Sequence, residues 1–189
     1  MDGTVAVLAN ELALVARATA EPAAFAAIYD HYFPRVYNYV RYRVRDAETA
    51  DDITAQIFER ALVSIGSYRP KRAPFAAWLF GIARNAVNDC LRAQRRHRWL
   101  SLEVLHGRAS IEPQLEEIAI HSDTRAELLA AVARLSDRER DLIALKFAAG
   151  LTNRRIAELT GLSESNVGVI LYRAVRRLRS ELSAQGVRP

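Results

Sequence analysis

Six arginines fall between Asn153 and Arg179, against two glutamates. A guanidinium presents a planar fork of donors that matches phosphate oxygens and base edges, so this density points to nucleic acid. Within the run, Val167, Leu171, Val175 and Leu178 step by four, four and three, so they face a core. Ser165, Asn166, Val169, Arg173 and Arg176 project elsewhere. Asn and Arg make bidentate contacts with base edges, and an apolar group such as Val169 suits a thymine methyl. Arg154, Arg155, Arg177 and Arg179 are better suited to phosphates, which position a protein without specifying a sequence. The competing reading is a plain helical hairpin with a solvated arginine face.

A second basic block runs from Arg60 to Arg98, with nine bases and one acid, Asp89. Here the bases are interleaved with aromatics. Tyr68 and Trp78 have rings on which an unpaired base stacks, and Arg69, Lys71, Arg72 and Arg84 suit the backbone of a single strand. Asn85, Asn88 and Arg92 step by three and four along one polar face. Trp78 precedes Leu79 by one position, so it serves either the strand or the core. Just upstream the sign reverses: Asp46, Glu48, Asp51, Asp52 and Glu59 lie in a stretch without a base. Residues 101–131 carry six acids and two bases. Two basic surfaces separated by an acidic connector suggest two places that touch a polyanion and a segment that does not.

The elements that must position these residues are helical. Phe25, Ile28, Tyr29, Tyr32, Phe33, Val36, Tyr37 and Val40 form one apolar stripe, and Pro34 within it predicts a break or kink. Asp46 caps a second helix, whose inward face is Ile53, Ile57, Phe58, Ala61, Leu62 and Ile65, ending near Gly66. Pro74 fits the first position of a third helix, which buries Phe75, Leu79, Ile82, Ala83, Ala86, Val87 and Cys90 and runs out at Arg98. Periodicity fades from Trp99 to His121. Ser136-Asp-Arg-Glu139 is a capping box. Thr152 then caps a short helix, Gly161 makes a tight turn, and Ser163 caps a long last helix to about Leu182. Short helix, glycine turn and long basic helix are the pattern of a helix-turn-helix. The expected fold is all-α: a helical domain over 1–98, a flexible linker over 99–121, and a helix-turn-helix domain over 122–189.

Several function classes drop out. The 189 residues include one cysteine, so an intramolecular disulfide is excluded. The four histidines have no metal-ligand spacing, and no glycine loop is built to cradle phosphate, so neither an enzyme, a metal nor a cofactor is expected. No apolar run has the length of a membrane span, and the N-terminus lacks the basic start of a secretory signal, so a cytoplasmic protein is expected. The formal net charge is +5, and 25 of the 27 basic residues are arginines. That ratio fits both phosphate recognition and a GC-rich genome.

Taken together, these stretches resemble the bacterial sigma factors of the extracytoplasmic-function (ECF) group within the sigma-70 family. The resemblance runs from about Asn10 to Leu182. Phe25–Tyr32 with Pro34–Tyr37 looks like the family's first helical stretch. Asp46–Thr54 with Ile57-Phe58 looks like the stretch that binds core RNA polymerase, which implies Asp46, Glu48, Asp51, Asp52, Gln56 and Phe58 as contacts. Phe75–Leu79 with Ile82–Asn85 and Asp89 looks like the helix that melts and reads the minus-ten element. Leu135–Arg140 through Arg173-Ala174 looks like the reader of the minus-thirty-five element. The resemblance implies core polymerase and promoter DNA as partners, an anti-sigma factor as inhibitor, no small-molecule substrate, and a monomer when free. It also implies that the acidic linker threads the polymerase, and with no large domain following Leu182 a subgroup with a C-terminal regulatory domain is not expected.

The chain departs from its relatives at Ala55-Gln56, where a Gln-Glu pair is common. It departs again at Gly168-Val-Ile170, where polar or basic residues are common, and at Arg154-Arg155, where acids are. The competing function is a stand-alone helix-turn-helix regulator that binds duplex DNA without touching polymerase. The acidic helix followed by a basic aromatic helix argues against it, because a simple regulator needs neither.

Overall fold

The computed structural model describes residues 11–44, 46–104 and 123–184, and every regular element among them is helical. The helices are α1 (Glu11–Ala20), α2 (Phe25–Arg43), α3 (Ala47–Ser64), α4 (Phe75–Val104), α5 (Asp123–Ala133), α6 (Asp137–Ile143), α7 (Asn153–Thr160) and α8 (Glu164–Ala184). The expected linker lies largely outside the described residues. Its first positions are helical instead, because α4 continues through Arg98 to Val104. Arginine and leucine are good helix formers, and nothing in Arg98-Trp-Leu-Ser-Leu102 breaks the backbone ladder.

α2 is the central strut. Ile28, Tyr32, Val36, Tyr39 and Val40 are buried along it, and it packs on α1, α3, α4, α5 and α6. The expected break at Pro34 is absent, since α2 runs uninterrupted from Phe25 to Arg43. Pro34 stands on the exposed side. There water can satisfy the carbonyl that proline leaves unpaired, and the buried stripe opposite holds the helix together.

The local signals elsewhere give the structure they predict. Asp46 caps α3 by accepting from the Thr49 N–H at 2.6 Å. Ser136 and Glu139 form the full capping box of α6. Thr152 caps α7, accepting from the Arg155 N–H at 3.3 Å. Gly161 ends α7 with φ +73°, a left-handed conformation that glycine adopts without steric penalty. The Ser163 hydroxyl then accepts from the Asn166 N–H at 3.2 Å, which starts α8. Two features went unforeseen: α1, and a π-helical turn at Ala144–Ala148 that follows α6. Cys90 is half-buried and packs against the core, and burial raises its thiol pKa.

One continuous apolar cluster spans both halves of the chain. α2 from the first half lies against α5, α6 and the π-turn of the second, and α4 touches α7. Arg43, at the end of α2, is only 4% exposed, and Asp141 on α6 only 6%. Two buried charges of opposite sign at one joint require each other, because either alone would carry a large desolvation penalty.

Candidate nucleic-acid interface

α3 separates its two faces cleanly. Ile53, Ile57, Phe58 and Ala61 are buried, whereas Asp46, Glu48, Asp51, Asp52, Gln56 and Glu59 are all exposed. The i, i+4 steps of Glu48, Asp52 and Gln56 put them on one side of the helix. Hydrogen bonding from Thr49 holds the Asp46 carboxyl below its ordinary pKa, so it stays charged. Phe58 is the correction in this group. It is 4% exposed and packs against Phe25, Tyr29 and Phe33, with ring centroids 6.4, 4.6 and 6.3 Å away. Phe58 follows buried Thr54 by four and precedes buried Ala61 by three, so it shares the inward register of α3 and lies beneath the acidic face.

The basic loop before α4 also differs from expectation at one residue. Tyr68 is 7% exposed, and its hydroxyl donates to the Ala73 carbonyl at 3.1 Å. Its ring meets Phe75 edge-on at 5.3 Å and Trp78 at 5.6 Å. A stacking platform needs an open ring face, and this ring is buried in packing instead. Trp78 is half-buried in the same cluster. Arg69 donates to the Gly66 carbonyl at 2.7 Å, which ties the turn down. Lys71 and Arg72 point outward. A cavity of about 680 Å³ opens beside this loop, bounded by Leu12 of α1, Lys71, Arg72, Pro74 and Arg155 of α7.

Further along α4, Asn85 and Arg92 are exposed, and Arg92 makes only a 3.6 Å surface ion pair with Asp89. Asn88 and Arg84 are half-buried and already engaged. Asn88 accepts from Arg43 at 3.0 Å. Arg84 donates from Nε to Asp141 at 2.7 Å and from a terminal nitrogen to the Leu159 carbonyl at 3.0 Å. The polar stripe on α4 is therefore divided: Asn85 and Arg92 are exposed, Asn88 is engaged by Arg43 of α2, and Arg84 is engaged by the second half of the chain.

In the helix-turn-helix, Ser165, Asn166, Val169, Arg173 and Arg176 all lie on the exposed side of α8, opposite buried Val167, Leu171, Ala174 and Leu178. The spacing had missed Tyr172, which is 65% exposed on the same face, with Arg176 over its ring at 5.8 Å. The signal was its position, one residue before Arg173 and three after Val169. A Cβ at Gly168 would meet the Asn153 amide at an ordinary 3.8 Å, so packing within the chain does not require a glycine there. The phosphate-type arginines carry local partners. Arg154 and Arg155 share Glu158 at 3.4 and 2.6 Å, and Arg177 lies 3.4 Å from Glu139. Such exposed pairs are worth about 0–1 kcal/mol, so a phosphate can displace the carboxylate.

Sequence reading missed the residues of the joint. Asp141 accepts from Tyr39 at 3.0 Å as well as from Arg84, and Arg43 Nε lies 3.6 Å from it. Arg43 also donates to the Asp137 carbonyl at 2.7 Å. Arg95 pairs with Asp137, and Arg35 donates to the Ala149 carbonyl. Arg43 follows Tyr39 by four and Val40 by three, so a charge on the inward register of α2 was the available signal.

Among the described residues, no group of acidic, histidine or cysteine side chains is placed to hold a metal ion. Nor is any described helix long and apolar enough to cross a membrane.

Comparison with known proteins gives the arrangement its context. Residues 28–97 match the model of sigma-70 region 2, and residues 125–178 match that of sigma-70 region 4. The ECF RNA polymerase sigma factor BldN of Streptomyces coelicolor is 38% identical over 175 residues, which span 90% of this chain and 65% of that protein. The ECF sigma factor SigD of Mycobacterium tuberculosis is 31% identical, over 81% of this chain and 74% of its own length. The ECF sigma factor RpoE of Cereibacter sphaeroides is 32% identical, over 86% of this chain and 88% of its own. Among solved structures, the sigma factor RpoE of Bartonella quintana, in complex with the anti-sigma factor NepR, superposes with a TM-score of 0.68. It is 22% identical, over 84% of this chain and 96% of that one. CnrH, in complex with the cytosolic domain of CnrY, gives 0.64 at 24% identity, over 90% and 96%. Two family regions matched in order, on the helices that carry the acidic face and the two basic blocks, together with ECF relatives above 30% identity, place the chain in the ECF group of sigma-70 RNA polymerase sigma factors, a family of transcription initiation factors and not of enzymes.

Proposed function

We propose that this chain recruits core RNA polymerase to one class of promoter and stabilises the melted DNA there. The exposed acidic face of α3, through Asp46, Glu48, Asp51, Asp52 and Gln56, docks on the polymerase. Lys71, Arg72, Asn85, Asn88 and Arg92, with Arg84 once freed, hold the melted strand of the minus-ten element. Trp78 offers its half-exposed ring beside them. α8 enters the major groove of the minus-thirty-five element, where Ser165, Asn166, Val169, Arg173 and Arg176 face base edges and Arg154, Arg155 and Arg177 face phosphates.

The observation that carries this reading is the segregation of charge on α3 and α4. One helix presents carboxylates to solvent, and the next presents guanidiniums and amides. A duplex-binding regulator has no use for the acidic face, whereas a bridge between a protein and a nucleic acid needs both.

The working units are a region-2-like domain over 1–98, a connector over 99–121, and a region-4-like domain over 122–189. The chain acts in the cytoplasm as a monomer until it meets polymerase. An anti-sigma factor is the second protein partner that membership of the ECF group implies. Co-elution with purified bacterial core polymerase tests the reading. A stable complex is expected, and failure of the folded chain to bind would favour the stand-alone regulator.

A further inference from the structure

The joint between the two halves is built from charge as well as apolar packing. The Asp141 carboxylate sits 2.7 Å from Arg84 Nε, 3.6 Å from Arg43 Nε and 3.0 Å from the Tyr39 hydroxyl. None of these three partners belongs to the half that carries Asp141. Arg43, Arg84, Asn88 and Arg92 also line an open cavity of about 310 Å³ at this joint, shared with Arg95 and Arg138. With the second half withdrawn, Arg43 would keep Asn88 but lose Asp137 and Asp141, and Arg84 would lose both its partners. Two neighbouring guanidiniums would then face solvent beside the strand-reading stripe. A carboxylate and a phosphate offer a guanidinium the same pair of oxygens.

We propose that Arg43 and Arg84 form a seat for a nucleic-acid phosphate, which Asp141 occupies in this closed form as an internal latch. The inference rests on the sigma-factor reading and adds its regulation. Geometry requires an opening. Arg84 of the strand-reading helix touches Leu159 of the helix-turn-helix at 3.0 Å. Promoter elements named minus ten and minus thirty-five lie about 25 base pairs apart, roughly 85 Å at ~3.4 Å per step. The closed chain cannot reach both. A buried ion cluster also suits a reversible joint, because desolvation offsets most of its Coulombic attraction. Entry of a strand phosphate and release of Asp141 would be the same event, so DNA engagement and opening are linked.

The test uses the full chain and the variant Asp141→Asn, which keeps shape and removes the charge. Distances between spin labels on Cys at Val63 and Ser180, in a Cys90→Ser background, report opening without DNA or polymerase. Fluorescence anisotropy with a fluorescein-labelled single-stranded DNA 20-mer of mixed sequence reports the seat. Asp141→Asn is expected to add a long-distance population and to bind the strand about tenfold tighter, the gain from releasing a protein whose competent fraction is roughly one tenth. Adding Arg84→Gln to it should keep the opening and abolish the gain. Unchanged distances in Asp141→Asn overturn the latch. Opening without tighter binding overturns the phosphate seat. If Asp141→Asn fails to fold, Arg35→Met is read in its place, since it releases Ala149 from the same joint and leaves Arg43 and Arg84 intact. These distances do not depend on polymerase, so failure of wild type and variant alike to bind polymerase strikes only the underlying reading.

Discussion

Asp141 and Arg84 stand 57 positions apart in the chain and meet at 2.7 Å, joining the helix that would hold a melted strand to the domain that would read duplex DNA. Neither has an apolar reason to be where it is. Their pairing ties the affinity of the first half for DNA to the position of the second. It also explains why Arg84 on α4 is engaged while Asn85 and Arg92 on the same helix are exposed.

The duplex-reading face of α8 makes the simplest prediction. Arg173 and Arg176 are exposed and do not support the core. Replacing both with alanine should leave the melting temperature unchanged and weaken binding to promoter duplex. As base-edge contacts, each should cost about 1–3 kcal/mol of affinity and relax specificity at the base pair it reads. Unchanged affinity and specificity would remove them from the interface.

Reversing the charge on α3 probes a different partner. Asp51 and Asp52 are exposed, so Asp51→Lys with Asp52→Lys should fold normally. Affinity for core polymerase should fall by about tenfold or more, the effect of like charges across an interface. Duplex binding through α8 should be unaffected. Normal polymerase affinity in this variant would move the docking surface elsewhere.

Phe58 was expected at the polymerase surface and lies beneath it, in a cluster with Phe25, Tyr29 and Phe33. Phe58→Ala should therefore act on stability first, costing about 3–5 kcal/mol in urea unfolding. A variant of wild-type stability with weakened polymerase binding would restore Phe58 to the contact surface.

The capping box of α6 gives a pH signature. Burial pulls the Glu139 pKa upward, but hydrogen bonds from the Ser136 backbone and hydroxyl, with the nearby Arg177 charge, outweigh it and hold the carboxyl below its ordinary value. A carboxylate with a depressed folded-state pKa adds stability above its unfolded value, about 4.3, and that stability is lost as pH falls through the folded value. Ser136→Ala should cost about 1 kcal/mol at neutral pH. Denaturation curves should also show its difference from wild type shrinking below about pH 4.

The local grammar of this chain was readable because it is written in neighbouring residues. Asp46, Ser136, Thr152, Gly161 and Ser163 each cap or turn a helix as their spacing predicts. The outward faces of α3 and α8 followed from helical periodicity in the same way. Two site residues expected on a surface are buried. Tyr68 and Phe58 are aromatic, and an aromatic ring beside charged residues reads equally as a surface platform or as core until its neighbours are known. α2 does not break at Pro34, because the proline stands on the exposed side, which periodicity of the buried stripe alone does not reveal. The joint was the least legible part. Arg43 and Asp141 are 98 positions apart, and only the fold brings an inward-facing charge on α2 to an inward-facing charge on α6.

Run-off transcription tests the central claim most directly. Core polymerase is incubated with the purified chain and linear fragments of its source genome, with polymerase alone as control. The account predicts discrete transcripts that appear only with the chain and share two sequence elements upstream of their start sites. A folded chain that binds these fragments but yields no chain-dependent start site would contradict it.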